Sequence, residues 1–166
     1  MNAPRNDTIT GETTFTVEPN KQEIVMSRVF AAPRDLVFRV ATDPEHVAEW
    51  WGPRELTTRI DKADVRRGGE WRYVQVDPQG NEFAFHGVYH DVVPSERVVQ
   101  TFEFEGVPGH VLLETVTFEE VDGGTRIVDT SVFQSIEDRD GMVSSGMESG
   151  ARESYERLAE LLAKES

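Results

Sequence analysis

Between Ile24 and Gln134 apolar and polar residues alternate in short runs, each closed by Gly, Pro, Asn or Asp. That period belongs to half-buried strands. The first run, Ile24–Phe30, is rich in β-branched residues and stops at Ala31-Ala32-Pro33. Leu56–Ile60, Gly69–Val76, Glu82–Val93, Arg97–Glu105, His110–Val121 and Thr125–Gln134 follow, parted by turn sequences such as Asp77-Pro78-Gln79-Gly80-Asn81 and Asp122-Gly123-Gly124. Residues 1–20 are polar and read as a flexible tail, within which Thr13–Val17 offers one further edge strand.

Three segments break the strand period. In Arg34–Ala41, Leu36, Val37 and Val40 recur at helical spacing. Asp43–Glu49 is a second short helix, with Asp43 as cap, Pro44 in its first turn and Gly52-Pro53 as its stop. Glu137–Lys164 puts Val143, Met147, Ala151, Leu158, Leu161 and Leu162 on one face and predicts a single long helix. This order of elements gives an α+β fold in one domain, residues 21–166. A curved antiparallel sheet of about six or seven strands wraps round a long C-terminal helix, with two short helices after the first strand. A parallel sheet would need a crossover after each strand, and the pattern contains none.

The adjacent indoles Trp50-Trp51 sit where the second helix ends. Each would bury ~150–250 Å², and neighbours at a helix end point in different directions. One ring can enter a core while the other covers an opening. Arg28-Val29-Phe30-Ala31-Ala32-Pro33, Thr42-Asp43-Pro44, Trp50-Trp51-Gly52-Pro53, Gly68-Gly69-Glu70-Trp71-Arg72, Gly87 through Pro94, Gly124-Thr125-Arg126-Ile127 and Gly141-Met142 occur in this order. Together they resemble the branch of the START/SRPBCC superfamily named after the activator of the 90-kDa heat-shock-protein ATPase. The resemblance covers roughly residues 22–163. It implies the helix-grip fold shared with the birch-pollen allergen, in a superfamily of lipid carriers, hormone-binding proteins and aromatase/cyclase domains.

In such a fold the cavity lies between sheet and long helix, and strand alternation selects what faces it. The selected residues are Trp71 and Tyr73; Val98, Gln100, Phe102 and Phe104; His110, Leu112, Glu114, Val116 and Phe118; and Ile127, Asp129, Ser131 and Phe133. A single bulge would invert a strand's set. The expected ligand wall is Trp51, Trp71, Tyr73, Phe102, Phe104, Met142 and Met147, with Glu114, Asp129 and Tyr89 for polar contacts. Glu114 and Asp129 fall on the apolar parity of neighbouring strands, where an unpaired carboxylate is costly. They are either a pair of cavity acids, one with a raised pKa, or acids neutralised by Arg72 or Arg126 or by water at the mouth. Gly141, Gly146 and Gly150, each costing ~1 kcal/mol inside a helix, serve either close packing or room for a ligand.

Charge and composition narrow the function. Against 31 acids the chain has 17 bases, for a net charge of −14, and no basic cluster offsets that field. Nucleic acid is therefore excluded as a partner. There is no cysteine, so disulfides, thiol nucleophiles and cysteine-ligated zinc are absent. His86 and His90 share a strand face but lie roughly 13 Å apart, too far for one ion, and no metal site is predicted. Neither a phosphate loop nor a nucleophile elbow occurs, so no cofactor is predicted and the catalytic residues are unknown. No run approaches a membrane span, which points to the cytoplasm, as a monomer or homodimer. The leading reading is binding of a hydrophobic or aromatic small molecule, uncharged or cationic. The alternatives are a cyclase, dehydratase or hydrolase using the same cavity, and a co-chaperone or partner-binding domain.

Overall fold

The β-branched and aromatic runs form one sheet in the computed structural model, which describes residues 11–165. Strands β1 (Thr14–Thr16) and β2 (Glu23–Phe30) precede two short helices, α1 (Arg34–Thr42) and α2 (Pro44–Trp50). Six strands follow: β3 (Thr57–Ala63), β4 (Glu70–Val76), β5 (Glu82–Val93), β6 (Arg97–Phe104), β7 (Val111–Val121) and β8 (Gly124–Val132). The chain closes with α3 (Ile136–Ser144) and α4 (Met147–Glu165). All eight strands join one antiparallel sheet in the order β1-β2-β8-β7-β6-β5-β4-β3. The eighth is the edge strand offered by Thr13–Val17, which pairs with β2 through Phe15 and Met26. The tail reading of residues 1–10 lies outside the described residues.

Two β-bulges bend the sheet. Asp61 is the extra residue of β3 against β4, and His90 that of β5 against β6; each adds local twist and curvature. The concave face so formed is covered by α1, α2 and α4. Phe30, Trp71, Ile127, Leu158, Val37 and Val40 are sealed between these layers. A smaller cluster of Ile24, Leu112 and Phe133 is capped by Phe15, Met142 and Met147.

Local caps match the sequence at α2, where the Asp43 carboxylate accepts from Glu45 N at 3.0 Å and Pro44 occupies the first turn. Its exit, Trp50 to Pro53, is held from several sides. Thr58 donates to Trp51 O at 2.6 Å, Gly52 N donates to Ser154 Oγ at 2.8 Å, and Arg157 donates to the carbonyls of Glu49 and Gly52. Gly52 is required there: its φ is +97°, and a Cβ would stand 1.8 Å from Gln75 Nε2.

The predicted single helix over 137–164 is corrected to two helices. Gly146 adopts φ +86°, a conformation that ends a helix. Ser145 N and Gly146 N turn back to the carbonyls of Gly141, Met142 and Val143. Gly146 therefore sits outside any helix interior. A Cβ at Gly150 would meet the Pro53 ring at 3.7 Å, an ordinary contact, while Gly141 faces open space.

Gly146 and Gly141 thus separate experimentally. In urea denaturation Gly146→Ala should lose ~1–2 kcal/mol, the cost of an L-residue in the left-handed region. Gly141→Ala should gain ~0.5–1 kcal/mol from helix propensity. Equal effects at both positions would contradict the break at Gly146.

A candidate ligand cavity with a buried carboxyl pair

The inward residues of β6, β7 and β8 follow unbroken alternation, because the bulges fall on β3 and β5. Val98, Gln100, Phe102 and Phe104, then Leu112, Glu114, Val116 and Phe118, then Ile127, Asp129, Ser131 and Phe133, all line one cavity beneath α4. Its volume is about 960 Å³. Exposed members of the wall, Glu55, Phe83, Val107, His110, Gly141 and Gly146, mark its mouth between two strand turns, the Pro53 loop and the α3–α4 break.

One wall is aromatic. The Trp51 ring meets Tyr73 edge-on at 5.0 Å and Phe85 at 5.3 Å, and Phe85 lies 5.5 Å from Phe102 and 5.0 Å from Phe104. Trp50 also reaches the cavity, while its Nε1 donates to Val40 O at 3.3 Å. Both indoles of the pair therefore contribute to the wall. Met142 and Met147 face it from the helical side.

The structure corrects the position of Trp71. Its register partner is Gly87, and its Nε1 donates across that gap to Thr101 O at 3.2 Å. With no side chain at Gly87, the indole packs into the sheet behind Tyr73 and Phe102, and it is 1% exposed. It supports the wall without lining it. Of the predicted wall and polar residues, Trp51, Tyr73, Tyr89, Phe102, Phe104, Glu114, Asp129, Met142 and Met147 are the ones brought to the cavity. Phe85 and Gln75 were missed, although Phe85 shares the parity of Tyr89 on β5 and that signal was readable in the sequence.

Glu114 and Asp129 meet at the sheet floor. Glu114 stands opposite Gln100 and Ser131, and Asp129 opposite Val116 and Met26, so the two acids are diagonal neighbours across β7 and β8. Neither arginine neutralises them. Arg72 is held by Glu105 at 2.8 Å and Asp61 at 3.3 Å on the outer face, and Arg126 lies 3.9 Å from Glu119. The pairing with Arg72 or Arg126 is thereby corrected. Gln100 Nε2 donates to Glu114 Oε1 at 3.3 Å, and Asp129 adjoins Glu114 and the Ser131 hydroxyl while its Oδ1 has no partner. Burial first, then the neighbouring Glu114 charge, pushes the Asp129 carboxyl well above the usual carboxylate range. What surface Asp129 retains faces the cavity. Above the pair, the hydroxyls of Tyr73, Tyr89 and Tyr155 are likewise raised, chiefly by burial.

Among the described residues no group of three or more His, Asp or Glu is placed to hold a metal ion. His86 pairs with Glu103 and Glu105 on the outer face, and His90 is the exposed residue of the β5 bulge. No helix of the described residues is long and apolar enough to cross a membrane.

The family described as Activator of Hsp90 ATPase homolog 1-like protein matches residues 31–163 of this sequence. The chain belongs to that family. Its fold is the helix grip of the START/SRPBCC superfamily. A Rhodobacter sphaeroides protein superposes with a TM-score of 0.85 at 23% identity, over 92% of this chain and 99% of that one. An Arthrobacter aurescens protein gives 0.84 at 23% identity, over 91% of each chain. A Chromobacterium violaceum protein gives 0.76 at 26% identity, over 85% of this chain and 96% of that one. Comparison with curated proteins finds no match. For this family member, fold and cavity carry the functional argument.

The buried carboxyl sets a pH dependence of stability. Folded Asp129 keeps a proton that the unfolded chain releases above about pH 4. Raising pH therefore opposes folding, by at most about 1.4 kcal/mol per pH unit, until folded Asp129 itself ionises. Glu105 acts oppositely: Arg72 and His86 hold it at about 2, so its contribution is lost as pH falls. Asp129→Asn cancels only the first effect. Denaturant titrations from acid to mildly alkaline pH should show the variant gaining on wild type as pH rises. Parallel profiles would place an ionised Asp129 in the folded protein.

Proposed function

We propose that this protein binds an apolar or aromatic small molecule in the cavity between the sheet and α4. The observation that carries the reading is the cavity itself. At about 960 Å³ it lies at the upper end of the ~300–1,000 Å³ of small-molecule sites. Its wall is the ring set Trp51, Tyr73, Phe85 and Phe102, relieved by a few convergent polar groups. A core of this composition that needed only stability would close such a space, since every unfilled contact forfeits dispersion energy. The family and superfamily fold support a ligand-binding domain in general.

Asp129 supports a second reading. A carboxyl kept protonated in an enclosed apolar site can deliver its proton to a bound hydroxyl or carbonyl, as a dehydratase or cyclase requires. In that case Asp129→Asn would abolish turnover while leaving ligand affinity within a few-fold.

Thermal denaturation against sterols, flavonoids, polyketide-like aromatics and fatty acids tests the binding reading. At a hundredfold excess over Kd a ligand of the folded state adds ~2.7 kcal/mol, or roughly 5–10 °C. Val116→Trp, which projects a ring into the cavity from β7, should remove that shift while the circular dichroism spectrum stays native. A shift that survives the filled cavity would place the ligand elsewhere.

A further inference from the structure

Among the described residues the cavity wall carries the acids Glu55, Glu114, Asp129, Glu137, Asp138 and Glu153, together with His110, and no lysine or arginine. Four of these acids belong to the mouth. Glu55 and Glu137 are exposed to solvent, Asp138 is paired with His110 at 2.9 Å, and Glu153 accepts from Arg54 N at 2.9 Å. Glu114 and Asp129 are different. They lie at the floor, where Gln100 donates to Glu114 at 3.3 Å, Asp129 adjoins Glu114 and the Ser131 hydroxyl, and Asp129 Oδ1 is left orphaned.

Around that pair the described residues supply no cation. The facing groups are Met26 from β2, Tyr73 from β4, Tyr89 from β5, Gln100 from β6, Ser131 from β8 and Tyr155 from α4. All are uncharged, and the tyrosines stay so because burial raises their pKa values. The donors to this pair are Gln100, the Ser131 hydroxyl and the proton that Asp129 retains, and they leave part of the acceptor capacity of the two carboxyl groups unmet in a low-dielectric enclosure. A primary ammonium group brings three N–H donors and a positive charge, which favours release of the proton that Asp129 holds in the free protein. A hydroxyl brings one donor and no charge, and a carboxylate brings a repelling charge of the same sign. Trp51, Tyr73 and Phe102 line the same cavity, and aromatic rings offer a cation a quadrupole attraction that an alcohol does not share.

We infer that Glu114 and Asp129 anchor a basic nitrogen, so that the ligand is an apolar or aromatic amine bound head-down in the cavity. This rests on the cavity being a ligand site at all, and the test keeps the two apart. Three probes share one ring system: aminomethylanthracene, its hydroxymethyl analogue and anthracene carboxylate. Binding is read near neutral pH by fluorescence at roughly 0.3 M salt, where charges beyond about 6 Å are screened. That removes the general attraction of a protein of net charge −14 for amines.

Wild type should bind the amine at least about tenfold more tightly than the alcohol, a difference of ~1.4 kcal/mol, and the carboxylate least. Glu114→Gln should bring amine and alcohol within about threefold of each other by weakening the amine alone. Asp129→Asn should narrow the gap in the same direction, and it carries the test if the first variant does not fold. Glu120→Gln, at an exposed acid at the end of β7 that does not line the cavity, should leave the gap unchanged. If the alcohol binds as tightly as the amine, or the gap survives both inner variants, the amine inference falls and the cavity reading stands. If none of the probes binds, both fall.

Discussion

A single helix cannot cover an eight-stranded sheet. Strands spaced ~4.8 Å apart make a sheet of eight roughly 38 Å across, while a helix with its side chains is only ~10–12 Å wide. Curvature from the bulges at Asp61 and His90 closes part of that difference. Helices α1 and α2 cover another part, over Val37, Val40 and Val47. What remains uncovered lies beneath the start of α4, where the chain offers Gly141, Gly146 and Gly150 rather than bulky residues. The cavity follows from this mismatch of widths, and the small residues at the α3–α4 break keep it open.

Polar anchors supplement the packed apolar faces of the covering elements. Arg139, 5% exposed, binds the carbonyls of Glu18 and Lys21 and so fixes α3 to the turn before β2. Arg152 donates to Thr13 O at 2.7 Å and holds β1 against α4. Arg157 and Ser154 bind the exit of α2, with Thr58 completing the grip. Buried backbone carbonyls need donors, and a buried arginine satisfies several with one side chain. The lids over the cavity are therefore fixed at their margins, and the space between them needs no filling to stay in register.

How much of this the sequence shows depends on the type of residue. Strand faces on β6, β7 and β8 were legible because alternation of Val, Phe and Ile against Thr, Glu and Arg continues there without interruption. The faces of Glu114 and Asp129 could then be read by counting in twos. Trp71 was not legible in the same way. Its parity is inward, but the absence of a side chain at Gly87 on the neighbouring strand decides whether the ring rises or lies flat. That is a pairing fact, and a single chain's periodicity does not contain it. Gly146 was ambiguous for a related reason: the apolar positions on either side keep a common face, so the break left the helical stripe intact while changing the backbone. The pairing of Arg72 with Glu105 and Asp61 likewise depended on which neighbours the outer face brings together.

The charge of the cavity is a consequence of where the fold uses its bases. Of the chain's 17 lysines and arginines, Arg139, Arg152 and Arg157 bind backbone at the margins. Arg72, Arg54 and Arg97 are engaged with acids outside the cavity. Each is positioned by a partner away from the enclosed space, so none can swing inward without abandoning a buried carbonyl or an ion pair. The acids on the floor have the reverse situation. Glu114 and Asp129 are fixed by strand register on the concave side, and rotamer change cannot move a strand residue to the opposite face. The sign of the cavity is thus set by backbone geometry and not by mobile side chains. On the amine proposal, an acidic floor fixed in this way would discriminate between ligands by head-group charge before it discriminated by shape.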